Sequence, residues 1–124
     1  MTENELSKVI IDLSIKVHRR LGPGLLESAY EDCLYYELAK AELNVEKQKG
    51  LPLVYDDVKL ECGYRVDLLV DKKVVIEIKA VDALNPVHLA QVLTFKTIKC
   101  KLGLLMNFNV VLLKDGIKRI VNNL

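Results

Sequence analysis

Arg65-Val66-Asp67-Leu68-Leu69-Val70-Asp71-Lys72-Lys73-Val74-Val75-Ile76-Glu77-Ile78-Lys79-Ala80 consists of two apolar, β-branched runs around a short polar break. Such runs read as strands and the break as a turn, so the stretch predicts a β-hairpin. With residues 71–73 as the loop, Val70 faces Val74, Leu68 faces Ile76 and Val66 faces Ile78. Cys62, Tyr64 and Ala80 extend this apolar face. A slip of one residue would mix polar and apolar positions, so the alternation itself selects the register. The opposite face then carries Arg65, Asp67, Leu69, Val75, Glu77 and Lys79, with Asp67 across from Glu77 and Lys79 across from Arg65.

Opposed carboxylates on adjacent strands repel and destabilise the pair. Half-burial beside Leu69 and Val75 raises that cost. A divalent cation removes it, and Mg²⁺ favours hard oxygen ligands while keeping several waters. Lys79 lies two residues beyond Glu77, on the same face, placed to orient a water or balance phosphate charge. The plain alternative is a solvated charged face on which Arg65 or Lys79 neutralises the carboxylates in surface ion pairs.

Outward from the hairpin, Thr2 and Glu5 have the spacing of a capping box. Leu6, Val9, Ile10, Leu13 and Val17 follow at helical spacing. Gly22-Pro23-Gly24 breaks this helix, and a second is expected over residues 25–43, with Asn44 as a stop signal. Leu51 to Tyr55 reads as a strand and Asp56-Asp57 as a turn, with a further strand from Glu61 to Val70. Asn85 as N-cap with Pro86 after it opens a third helix, expected to reach about Lys101. Short strands are expected at Leu104–Phe108, Val110–Leu113 and Ile117–Val121, with Asp115-Gly116 as a turn. The order is helix, helix, strands, helix, strands, in one domain spanning 1–124.

The 124 residues are 51% hydrophobic with a formal net charge of +1, so a packed core is expected. The strongly basic footprint of many nucleic-acid binders is absent, and any such binding must come from local patches or a bound cation. Cys33, Cys62 and Cys100 form no CxxC pair, which argues against structural zinc; each is expected to be a buried free thiol, in keeping with a reducing compartment. MTENELSKVI does not resemble a signal peptide, and the longest apolar stretch, 103–113, is too short for a bilayer. The expectation is a cytoplasmic protein without membrane association.

Glu27 and Glu31 stand near the start of the second helix, where carboxylates also complement the helix dipole. Glu27 lies close to the stripe of Tyr30, Leu34 and Ala41, from which it can reach the acidic sheet face. Gln91 shares a helical stripe with Val87, Phe95 and Ile98, as a core amide or a site residue. His18 and His88 lack partners at metal-ligand spacing and read as structural or solvated.

Leu21-Gly22-Pro23-Gly24-Leu25-Leu26-Glu27-Ser28-Ala29-Tyr30 resembles the signature of the GxxExxY proteins, with Gly24, Glu27 and Tyr30 at the named positions. The resemblance continues through Asp67-Leu68-Leu69-Val70, Glu77-Ile78-Lys79-Ala80, Ala90-Gln91, 103–108 and 116–121, nearly the whole chain. Those proteins are placed in the PD-(D/E)XK nuclease superfamily. The resemblance implies an α/β (α+β) fold with a restriction-endonuclease-like core, a central mixed β-sheet flanked by α-helices. It implies that Asp67 and Glu77 are metal ligands, Lys79 the catalytic lysine, Glu27 an accessory acid and Gln91 a residue lining the site. Val66 stands in place of the proline in the superfamily's name, and Phe95 where a tyrosine is expected.

The resulting expectation is a nuclease dependent on Mg²⁺ or Mn²⁺ that hydrolyses phosphodiester bonds of nucleic acid, DNA foremost, with Lys47, Lys49, Lys96, Lys99 and Lys101 as candidate phosphate contacts. The alternative is a non-catalytic module of the same fold that binds nucleic acid or a protein partner. The small size makes a homodimer plausible, as a larger grip on duplex DNA.

Overall fold

The computed structural model describes residues 1–124. Thr2 and Glu5 form the expected reciprocal cap, each accepting from the other's backbone amide (2.9 and 3.2 Å), and start α1, Glu3–Leu21. Gly22 ends it at φ +69°, a conformation that glycine adopts without the Cβ clash of other residues. Helix α2 is Glu27–Lys40, shorter at both ends than its sequence pattern.

Five strands form one sheet in chain order: β1 (Val45–Tyr55), β2 (Val58–Val70), β3 (Val74–Lys79), β4 (Leu102–Asn107) and β5 (Ile117–Val121). All neighbours are antiparallel except β3 and β4, which run parallel. The parallel pair requires a crossover, and α3 (Pro86–Val92) supplies it. β1 begins six residues earlier than expected. The polar run Glu46-Lys47-Gln48-Lys49 suits the sheet edge, where only one side of the strand is paired.

The sheet is covered on both faces. Leu6, Ile10 and Val17 of α1 and Tyr30, Leu34 and Leu38 of α2 pack with Leu68, Val70, Val74, Ile76, Ile78, Leu104 and Met106. The opposite cluster joins Leu51, Val66, Leu69 and Val75 to Phe95 and Cys100. β3 is therefore central and apolar on both faces, and everything in it except Lys79 is buried.

Two expected elements differ. The third helix ends at Val92 and tightens into a 3₁₀ segment over Leu93–Ile98. There the hydroxyls of Thr94 and Thr97 each bond a carbonyl three residues back (2.6 and 2.9 Å), competing with the α-helical pattern. Lys99 at φ +60° closes the segment. Residues 110–113 form no strand. The carbonyls of Phe108 and Val110 both point at His18 Nε2 (3.1 and 2.9 Å), and the Asn107 amide holds Val81 and Asn109, so these backbone groups are unavailable to a ladder. His18 and His88 are structural as expected, His88 accepting from Asn85 within the cap of α3. Of the cysteines, all free, Cys100 is buried, Cys33 intermediate and Cys62 exposed, because Cys62 lies on the part of β2 that extends beyond β3.

Candidate active site

The hairpin register is the one selected by alternation as far as Leu68↔Ile76. Beyond that pair the regular ladder stops, and carboxylate oxygens take the backbone donors. Ile78 N–H donates to Asp67 Oδ2 (2.7 Å), and Asp67 N–H donates to Glu77 Oε1 (3.3 Å). Asp67 and Glu77 thus meet where β2 leaves β3, and not across a regular rung. Strict alternation fails at the same place: Val66 packs with Leu69 and Val75, and Tyr64 turns its hydroxyl to Glu77 Oε2 (3.0 Å). The expected apolar face holding Tyr64, Val66 and Leu68 together is corrected accordingly. Arg65 lies opposite Gly50 of β1 and not Lys79.

The remaining oxygen, Asp67 Oδ1, accepts from Gln48 Nε2 (3.2 Å), whose amide also donates to Glu31 Oε1 (2.8 Å). Each oxygen of Asp67 and Glu77 therefore has one donor, and all four donors are neutral. This excludes the surface-ion-pair alternative for these carboxylates. The ion pairs are elsewhere, Lys16–Glu37, Lys47–Asp32 and Lys49–Glu46, and Lys79 takes part in none.

Glu77 is 1% exposed. Burial, then the charge of Asp67, pushes its carboxyl up to about 8, against the opposing pull of the Tyr64 hydroxyl, the Lys79 charge and the Asp67 amide. Glu31 is raised to about 7 by burial and by Asp67, with the Gln48 amide opposing. Burial and the Glu77 charge raise the Tyr64 phenol, which remains a donor at neutral pH.

Glu27 occupies the first turn of α2 and accepts from Ala80 N–H (3.0 Å), one residue past Lys79. It is Glu31, one turn further, that reaches Asp67. Tyr30, the third residue of the signature, donates to Gly22 O (2.6 Å), accepts from Leu25 N–H (3.1 Å) and stacks on Phe108. Gln91 lies on α3, and its Oε1 is the one buried side-chain polar atom without a hydrogen-bond partner. Among the lysines expected at phosphate, Lys47 and Lys49 are engaged by Asp32 and Glu46.

Gln48, Glu31 and Tyr64 were not singled out as site residues by sequence. For Glu31 a signal existed, an acidic residue one turn from Glu27 on the inward stripe of α2. For Gln48 and Tyr64 there was none.

A family model described as the PD-(D/E)XK nuclease superfamily matches residues 4–120. The chain belongs to that superfamily. Its mixed five-stranded sheet between helices is consistent with the restriction-endonuclease-like fold, and membership supports a nuclease-like function. Nucleases of the superfamily generally use divalent metal ions. No helix is long and apolar enough to cross a membrane. Neither the curated proteins nor the solved structures gave a match.

The donor set suits such an ion in chemistry: hard carboxylate oxygens held by neutral donors, with Glu77 buried and Asp67 half-buried. No three His, Cys, Asp or Glu side chains form a ready cage, so waters and substrate oxygens would complete the shell.

Proposed function

We propose that residues 1–124 form one nuclease domain that hydrolyses phosphodiester bonds of nucleic acid, with DNA as the first substrate to test. Asp67 and Glu77 would hold Mg²⁺ or Mn²⁺. The observation that carries this reading is the pair of carboxylates, buried Glu77 and half-buried Asp67, whose four oxygens meet only neutral donors, beside a lysine without an ion-pair partner. A bound cation supplies Lewis acidity, activating water and polarising a phosphoryl oxygen.

The chain's own residues divide the remaining work. Tyr64 and the Asp67 amide hold Glu77, while Ile78 N–H and Gln48 hold Asp67. Lys79 stabilises the negative charge that develops on the phosphate and orients the attacking water. Glu27 fixes the backbone immediately after Lys79, and Gln91 lines the site from α3. A homodimer would enlarge the grip on a duplex, and light scattering on the purified chain tests it.

The deciding experiment is a Mg²⁺ and Mn²⁺ titration by calorimetry, with cleavage assays on single-stranded, duplex and branched DNA, for wild type, Asp67→Asn and Glu77→Gln. Metal binding and cleavage in wild type, both lost in the variants, support the reading. Absence of metal binding, or equal cleavage in all three, overturns it. The near-neutral charge of +1 favours the second reading, a module that binds nucleic acid or protein without cutting.

A further inference from the structure

Gln48 stands opposite Asp67 on β1, between the pairs Lys47↔Leu68 and Lys49↔Val66. Its φ is +52°, the left-handed region that strand residues avoid. Resting on the metal-site reading above, we propose that Gln48 is a positioning residue that fixes the Asp67 carboxylate for the cation and ties it to Glu31 of α2.

A primary amide carries two donor hydrogens, and the Gln48 nitrogen reaches one carboxylate on α2 and one on β2. A lysine or arginine there would also hold both, but would cancel the negative charge that attracts a cation. The flanking lysines show the alternative was at hand: Lys47 is engaged by Asp32 and Lys49 by Glu46.

Backbone geometry points the same way. A long side chain at positive φ within a strand persists only where its surroundings over-determine it, and such residues cluster at functional sites. Glycine would satisfy the backbone more easily, but would lose the fork. Ile78 N–H already fixes Asp67 Oδ2, so Gln48 fixes the second oxygen, and each oxygen retains a lone pair for a cation.

The test uses the full chain with Gln48→Gly, which relieves the backbone, and Gln48→Met, which keeps the length of the side chain without its donors. Asp67→Asn is the reference. Both Gln48 variants should bind Mn²⁺ about 10–100-fold more weakly by calorimetry. Cleavage should lose kcat, with KM for DNA unchanged, and metal-free Gln48→Gly should melt close to wild type. If Gln48→Gly does not fold, Gln48→Met decides. Wild-type Mn²⁺ affinity in the Gln48 variants, with Asp67→Asn impaired, overturns this role and leaves the metal site standing. Absence of Mn²⁺ binding in wild type overturns the underlying reading and this one with it.

Discussion

Glu31 of α2 and Asp67 of β2 share the side-chain amide of Gln48, and the Asp67 charge raises the proton affinity of both Glu31 and Glu77. Glu77 moves from 4.5 to about 8 and Glu31 to about 7, burial being the first cause in each. The folded chain thus keeps protons that the unfolded chain has released.

The sign follows from that difference. Stability of the metal-free protein is fully present below about pH 4.5 as far as these groups are concerned. It falls as pH rises towards 8, with a slope of at most about 1.4 kcal/mol per pH unit for each group. Mg²⁺ should flatten the slope by taking the place of the protons. Urea unfolding midpoints across this range, with and without Mg²⁺, measure it; metal-free stability that rises through the window would contradict the assignment.

Asp67 substitutions should separate shape from charge. Asp67→Asn keeps one acceptor for the buried Ile78 N–H, leaves only the exposed Gln48 amide to water and relieves repulsion, so its stability should stay within about 1 kcal/mol of wild type. Asp67→Ala strands the buried Ile78 N–H and should cost about 1–3 kcal/mol, while the exposed Gln48 amide keeps Glu31 and turns its other hydrogen to water. Chemical denaturation of the two variants side by side reads the difference.

Lys79 makes no side-chain hydrogen bond or ion pair, so Lys79→Met should leave melting unchanged and Mn²⁺ binding nearly so. Cleavage should fall about 10²–10³-fold, the usual effect of removing one group that stabilises transition-state charge. Single-turnover assays at saturating metal give that ratio; full activity in the variant would remove Lys79 from the mechanism.

For Glu27, glutamine and alanine should behave differently. Glu27→Gln retains an acceptor for Ala80 N–H and loses only a helix-terminus charge, about 0.3–1 kcal/mol. Glu27→Ala frees the chain just past Lys79 and should lower cleavage more than Glu27→Gln does. Paired melting curves with and without Mg²⁺ supply the control: equal loss of the metal-induced shift in both variants would mean that the charge itself acts on the cation.

Oε1 of Gln91 has no partner within the protein, and an acceptor in that position costs about 1–3 kcal/mol where water does not reach it. Gln91→Met should therefore raise the metal-free melting temperature while weakening cleavage. A variant that melts lower and cuts normally would make Gln91 an ordinary core amide.

Features governed by short-range rules were legible in the sequence. The Thr2–Glu5 cap, Asn85 with Pro86, and the hairpin register through Leu68↔Ile76 depend on neighbours and on a period of two. The triplet Asp67, Glu77 and Lys79 emerged from the same pattern. Alternation then misled at Tyr64 and Val66, because it assumes an unbroken ladder, and the ladder ends where the carboxylates meet. Gln48 was hidden for another reason. Its role depends on a left-handed residue in an edge strand bringing an amide between a helix and the next strand, which no periodicity encodes.

Because Asp67 and Glu77 accept from backbone amides of their own hairpin, the site is part of the sheet's construction. A relative of this chain under no selection for catalysis would still be penalised for replacing either side chain by one without an acceptor, so an acid or its amide would tend to persist at both positions. Lys79 has no such obligation. Within a lineage, drift at position 79 alongside retained acids would mark the members that had given up chemistry, and a lysine kept there would mark those still under selection to perform it.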